Sequence, residues 1–311
     1  SSARLRNSQA SFLLRKNQGP AEKKAGNMRF GFHLSIAGGF SKVFERARKR
    51  GCETIQFFSR NPRGWKYGPL DEEEVSLFRS SLPSSGLSPV FLHMPYLPNL
   101  ASRASEFYTR SMDSLVIELE RAEQLGAQYL ILHLGHRMEA SEEEAIDAVC
   151  EGIDQAFEKR TSPVILLLEN TAGQGSEIGS TFEEIGRIIR GVSENKRVGV
   201  CLDTAHAFEA GYDLSRKDGL EQTLESFDRH VGLNRLHLLH LNDSRTPLGS
   251  GTDRHWHIGE GHIGLGGFRS LVNHPLLNSL PGIMETPRKD TVEDVKNMRV
   301  IRSLVDFQRS P

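Results

Sequence analysis

Six apolar, β-like runs in this chain each end on a residue whose side chain can bind a metal ion. Residues 89–92 lead to His93, 129–132 to His133 and 164–168 to Glu169. Residues 198–202 lead to Asp203, 236–239 to His240 and 283–284 to Glu285. Three further candidates lie close by. His206 follows Asp203 by three residues, at what reads as a strand-to-helix turn. Asp253 and His255 are two apart, so both point the same way if the backbone there is extended. Imidazole and carboxylate without thiolate suit zinc, manganese or iron. Nine candidates exceed the three or four ligands of a mononuclear zinc site and fit two or three metals sharing carboxylates. Three divalent ions would overcompensate the four carboxylates and draw in an anion. A phosphodiester is the natural partner for in-line displacement at such a centre. Without metal, the clustered carboxylates would repel one another. A lone histidine at a strand end is more often a hydrogen-bonded structural residue than a ligand. Ligand types at successive strand ends reverse that reading. His33, His136, His230, His237, His257, His262 and His274 are expected to satisfy local hydrogen bonds or face solvent. His33, at the end of the first strand, could also support a ligand from behind.

The elements that must position these residues alternate along the chain. Continuous apolar runs mark parallel strands buried on both faces. Such strands are read at 28–33, 54–59, 89–93, 129–134, 164–169, 198–203, 236–241 and 282–286. Helical patterns lie between them, at 40–50, 71–80, 104–125, 141–159, 181–191 and 218–231, with a last one at 291–306. Ser141 with Glu144 reads as a capping box, and Gly126 as a helix stop. A Gly-rich loop, 244–267, precedes a short helix and the eighth strand. Eight strands with intervening helices predict a closed (β/α)8 TIM barrel forming a single domain. In that fold the C-terminal strand ends converge on the face that carries active sites. An open doubly wound sheet is the competing fold. It would need a Gly-rich dinucleotide turn after the first strand, and residues 35–39 (SIAGG) do not supply GxGxxG.

Composition narrows the function classes. The 311 residues suit one barrel, which takes about 250. No apolar run approaches the roughly 20 residues of a membrane span, so no membrane partner is expected. Cys52, Cys150 and Cys201 are widely spaced and form no CxxC pair. They point to a reducing compartment, hence the cytoplasm, and Cys201 reads as a buried filler. Residues 1–27 hold Arg4, Arg6, Arg15, Lys16, Lys23 and Lys24 against Glu22 alone, and show no hydrophobic period. They are read as a flexible extension, leaving 28–311 as the barrel domain. Without them the net charge moves from −1 to −6. A nucleic-acid partner must then be held by a local patch or by metal charge.

Three segments make the chain familiar: VILLLENTAGQG at 164–175, VGVCLDTAHAFEAGY at 198–212, and HLND at 240–243 joined to DRH at 253–255 and GEGHIG at 259–264. With FHLS at 32–35, Gly38-Gly39 and Glu285-Thr286, they closely resemble endonuclease IV, the zinc-dependent apurinic/apyrimidinic endonuclease family of base-excision repair. The resemblance runs from about 28 to 305. It implies a site for three Zn2+ ions, with Mn2+ admissible at one position. His93, His133 and Glu169 would hold the first metal. Glu169, Asp203, His240 and Glu285 would hold the second, with Glu169 bridging. His206, Asp253 and His255 would hold the third. It further implies that Glu169 and Glu285 serve catalysis, and that Arg63, Tyr96 and Leu97 enter the DNA at the lesion. Met94-Pro95 stands where some members carry polar residues, which bears on the loop holding Tyr96. Arg254, between two ligands, is expected on a substrate phosphate. The implied activity is hydrolysis of the phosphodiester 5′ to an abasic site in duplex DNA, with trimming of blocked 3′ ends. The implied protein is a monomer, nucleoid-associated if bacterial. A sugar isomerase or epimerase on the same barrel and a lesion-binding protein without turnover are the alternatives. The candidate third-metal ligands argue against the first. The complete ligand set argues against the second.

Overall fold

The computed structural model describes residues 28–287 and 291–306; the extension expected at 1–27 lies outside the described residues. Eight strands close a parallel barrel: β1 (Phe30–Leu34), β2 (Thr54–Phe58), β3 (Val90–His93), β4 (Tyr129–His133), β5 (Ile165–Glu169), β6 (Val198–Asp203), β7 (Leu236–His240) and β10 (Gly282–Met284). Neighbours follow chain order, and β10 closes the ring between β7 and β1. The outer helices are α1 (Lys42–Arg50), α2 (Glu72–Ser85), α3 (Tyr108–Leu125), α4 (Glu142–Lys159), α5 (Phe182–Gly191), α7 (Lys217–His230), α8 (Gly264–Asn273) and α9 (Thr291–Ser303). The TIM barrel replaces the open-sheet alternative.

Two features go beyond what the sequence delimits. A short helix, α6 (Thr204–Glu209), leaves β6 directly. A two-residue antiparallel ribbon, β8 (Asp243–Ser244) with β9 (His255–Trp256), stands in the long loop after β7. Both are too short for a periodicity to show. The expected strand at 282–286 stops at Met284, so Glu285 sits one residue beyond it. Helix α2 runs past the expected 80 to Ser85 with Pro83 inside it. The Ser141–Glu144 capping box is formed, and a second, Thr181–Glu184, starts α5.

Strand alternation explains why a packed barrel ends in a polar mouth. Successive side chains point to opposite faces. One parity (Phe32, Phe57, Leu92, Leu132, Leu168) packs outward beneath the helices. The other points into the barrel, where Phe91, Ile131, Leu167, Cys201, Leu238 and Ile283 form a separate buried cluster. Each member of that cluster is followed two residues later by a candidate ligand: His93, His133, Glu169, Asp203, His240 and Glu285. The apolar layer is therefore the floor, and the ligands are the next layer above it. Cys201 belongs to the floor. Burial pushes its thiol up to about 12, so it offers no thiolate.

Candidate metal centre

Register sets the ligand layer. His133 lies opposite Glu169 across β4–β5, and Asp203 lies opposite His240 across β6–β7. Glu169 is fully buried at the centre of the cluster. Its Oε2 is 3.2 Å from His93 Nε2 and 3.0 Å from His133 Nε2. Its Oε1 is 2.9 Å from His240 Nδ1, which is itself 3.3 Å from Glu285 Oε2 and 3.7 Å from Asp203 Oδ2. Glu169 thus faces two ligand sets, one through each oxygen.

The third set sits on α6 and the ribbon. Asp203 caps α6, its Oδ1 accepting from the His206 backbone N–H at 3.0 Å, which turns His206 back toward the mouth. His206 Nε2 and His255 Nε2 lie 3.3 Å apart. Asp253 Oδ1 is 3.4 Å from the first and 3.6 Å from the second. Asp203 Oδ2 is 3.4 Å from His255 Nε2. Two carboxylates therefore reach this imidazole pair: the half-exposed Asp253 and the buried Asp203. The donor atoms of three groups come within 4.8 Å of one another: His93–His133–Glu169, Glu169–Asp203–His240–Glu285, and Asp203–His206–His255. The sequence reading paired the last two histidines with Asp253. The fold adds Asp203 beside it.

Hydrogen bonds behind the ligands fix which nitrogen faces inward. The His93 Nδ1–H donates to the Met94 carbonyl at 2.6 Å, and the His206 Nδ1–H to the Asn170 carbonyl at 2.9 Å. Each leaves Nε2 bare toward the carboxylates. His240 is turned the other way, its Nε2–H donating to Gln56 Oε1 at 2.8 Å and its Nδ1 facing Glu169. An imidazole held from behind, with its lone pair aimed into a carboxylate cluster, is the arrangement of a metal ligand. Electrostatics agree. Burial alone would push the Glu169 carboxyl up, but the charges of His240 and His133 and their hydrogen bonds hold it well below the usual carboxylate range. For His206, burial is outweighed by Asp203 and Asp253, which hold the imidazole well above its usual range. Buried carboxylates here require positive charge. Imidazolium protons supply it in one state, and divalent ions supply it in another. The donor set of imidazole nitrogen and carboxylate oxygen, with no thiolate, fits zinc or manganese.

Several supporting residues escaped the sequence reading. Gln56 is fully buried and donates its Nε2–H to Glu285 Oε1 (2.7 Å), with His33 Nδ1 2.9 Å from the same nitrogen, besides accepting from His240. His33 Nδ1 also lies 3.0 Å from Glu285 Oε1, so His33 stands behind a ligand. The Asn170 amide brackets the Asp203 backbone, and Asn242 Nδ2 donates to Asp203 Oδ2 at 2.7 Å. Buried Asp243 accepts the backbone N–H groups of Gly259, Gly261 and Ile263 at 2.9–3.0 Å, tying down the loop after the ribbon. A Cβ on Gly261 would fall 2.3 Å from the Ser244 carbonyl and 2.5 Å from the Asp243 carboxylate, so the loop closes only with glycine there. Glu209, buried on α6, accepts from Ser244 Oγ and from the Arg254 backbone N–H, joining the ribbon to the helix that carries His206.

Above the ligands lies a cavity of about 570 Å³. Tyr96 and Arg254, both expected to touch the substrate, line it. Tyr96 is 65% exposed and packs edge-on against Phe58. Arg63 and Leu97 do not line it. Arg63 belongs to the irregular 59–70 loop after β2, and exposed Leu97 borders a neighbouring groove with Phe107 and Met138.

The family model of the xylose isomerase-like TIM barrel matches residues 44–310. A protein named "Probable endonuclease 4" from Methanosphaerula palustris is 47% identical over 280 residues, covering 89% of this chain and 98% of its own. The crystal structure of endonuclease IV from Thermus thermophilus superposes with a TM-score of 0.79 at 39% identity, over 89% of this chain and 98% of that one. A D-tagatose 3-epimerase-like protein superposes with a TM-score of 0.67 at 17% identity, covering 89% and 97%, which shows the fold alone. Among the described residues no helix is long and apolar enough to cross a membrane.

Proposed function

This chain belongs to the endonuclease 4 family, and from that premise we propose that it is a DNA-repair nuclease acting at abasic sites. It would hydrolyse the phosphodiester 5′ to an abasic site in duplex DNA, leaving a 3′-hydroxyl and a 5′-deoxyribose phosphate, and would trim blocked 3′ ends. The observation that carries this reading is Glu169, whose two oxygens face two separate histidine-containing ligand sets, with a third set 3.4 Å away through His255 and Asp203. A sugar isomerase on this barrel has no use for that third set.

His93, His133 and Glu169 would hold one Zn2+; Glu169, Asp203, His240 and Glu285 a second; and His206, Asp253 and His255 a third, with Asp203 within reach of it. Mn2+ is admissible at one of these positions. When bound, such ions supply positive charge to a phosphodiester and lower the pKa of coordinated water. The protein's own part is positioning. Gln56, Asn170, Asn242 and His33 hold the ligands from behind, so a developing charge meets fixed groups at little reorganisation cost. Arg254 extends from the ribbon to a cavity wall, where its guanidinium suits a phosphate oxygen. Tyr96 and Leu97, exposed on the loop after β3, and Arg63, on the loop after β2, would fill the gap left when the abasic nucleotide leaves the stack. Residues 28–311 would form the catalytic barrel domain, acting as a monomer.

Incubation of the zinc-loaded protein with an abasic duplex, followed by analysis of both new ends, tests the reading. A 3′-hydroxyl and a 5′-deoxyribose phosphate are expected. Turnover of free ketoses with an intact abasic strand would put the chain with the isomerases instead.

A further inference from the structure

One wall of the cavity is built from residues that no metal ligation uses. It includes Arg245 and Trp256. The ribbon sets their positions. Asp243 pairs with Trp256 and Ser244 with His255, and the Arg245 N–H donates to the Arg254 carbonyl at 2.9 Å. Arg245 therefore leaves the ribbon one residue past the rung that ends in a candidate ligand. Its guanidinium carbon lies 4.6 Å from the centroid of the Trp256 ring. The ribbon is fastened below by Asp243 and from α6 by Glu209, so the pair stands on a rigid support.

Arg245 and Arg254 both line this cavity, and among the described residues no carboxylate comes within ion-pair distance of either guanidinium. The indole is a weak partner that attracts the guanidinium without neutralising it. An arginine held this way keeps its fork of N–H donors free, which matches the geometry of phosphate oxygens. The indole beside it accepts a sugar or base face whatever the base identity. A planar cation and an aromatic ring on the wall of a phosphodiester-sized cavity are the parts of a nucleotide subsite. In a chain of net charge −1, such a local cation adds to the metal charge that would draw nucleic acid to this face.

We propose that Arg245 and Trp256 form a subsite for the nucleotide adjoining the one hydrolysed, with Arg245 on its phosphate and Trp256 against its sugar or base. This rests on the reading of duplex DNA as substrate. The experiment is a protein–DNA double-mutant cycle. Abasic duplexes are made in which one phosphate at a time, on either side of the lesion, is replaced by an uncharged methylphosphonate. kcat/KM is measured for the wild type and for Arg245→Ala, with zinc content checked in each. In the wild type, neutralising one flanking linkage should lower kcat/KM about tenfold, the scale of one charge-assisted hydrogen bond. Arg245→Ala should lose about as much on the unmodified duplex and nothing further at that linkage. Trp256→Ala should remove the same increment, and Trp256→Phe should keep most of it. If Trp256→Ala loses zinc through its neighbour His255, the Arg245→Ala cycle still decides. A wild type that leaves every abasic duplex intact defeats the functional reading. A wild type that cleaves, while Arg245→Ala stays as sensitive as wild type at every linkage, overturns the subsite alone.

Discussion

Replacing Gln56 by Leu should weaken the metal centre without touching a ligand. The side chain is fully buried, and leucine fills a similar volume. The change removes two hydrogen bonds, one accepted from His240 Nε2 (2.8 Å) and one donated to Glu285 Oε1 (2.7 Å), and a polar contact with His33 Nδ1 (2.9 Å). The worst consequence falls on His240, also fully buried, whose outer N–H is left with no acceptor. An orphaned buried donor costs about 1–3 kcal/mol. His240 can avoid that cost by moving its proton to Nδ1, which is the nitrogen facing Glu169, and ligation there is then blocked. Loss of support behind a ligand lowers metal affinity by about 10–100-fold, which matches about 1.4–2.7 kcal/mol. The assay is zinc titration against a chelating indicator, with circular dichroism to confirm folding. The ions should leave Gln56→Leu at higher free zinc than they leave the wild type, and the set containing His240 and Glu285 should empty first. Zinc affinity within twofold of the wild type, in a folded variant, would refute the argument that Gln56 selects the His240 tautomer.

The other expectations follow from single residues. Glu169→Gln keeps shape but removes the charge that faces two ligand sets, so abasic-site nicking should fall by on the order of a hundredfold or more; near-wild-type nicking under saturating zinc would reject the bridging assignment. His206→Ala or His255→Ala should each lower zinc by about one ion per chain, since both belong to the third set, and elemental analysis showing unchanged stoichiometry in both would remove that set. Tyr96→Ala should cost about 1–3 kcal/mol in binding to an abasic duplex and much less on undamaged duplex; equal losses on the two would make Tyr96 a structural loop residue. Asp243→Ala leaves the backbone N–H groups of Gly259, Gly261 and Ile263 without their acceptor. It should lower unfolding stability by on the order of 3 kcal/mol in a urea titration, and a change under 1 kcal/mol would show that the loop holds without the carboxylate.

What the sequence disclosed and what it hid have one physical origin in strand parity. The barrel was legible because buried parallel strands leave long apolar runs, and six of those runs end on a residue type that does not belong in a core. Each such residue stands two positions after a member of the inner apolar cluster, as in Leu167 and Glu169 or Leu238 and His240, so it must face the same way and one layer higher. Carried around the ring, the same parity would also have exposed Gln56. In β2 the outward side chains are Ile55 and Phe57, which leaves Thr54 and Gln56 pointing into the barrel; in β1 the outward Phe32 and Leu34 leave His33 inside. His33 and Gln56 lie opposite each other in the β1–β2 register and close the polar layer on the side where no apolar run ends in a ligand. Gln56 was missed because it interrupts its strand instead of ending it, and an amide in a half-polar run resembles a solvent-facing residue until the ring is closed. The ribbon was hidden for a different reason. Two residues per strand leave no period to read, and its position depends on Asp243 and Glu209 gathering backbone N–H groups and a hydroxyl from residues 244–263. Asp253, Arg254 and His255 could be named from their motif, but the Arg245–Trp256 wall exists only once that loop has closed. The ligands are thus set by period, their supports by parity, and the substrate-facing wall by tertiary closure, and legibility falls in that order.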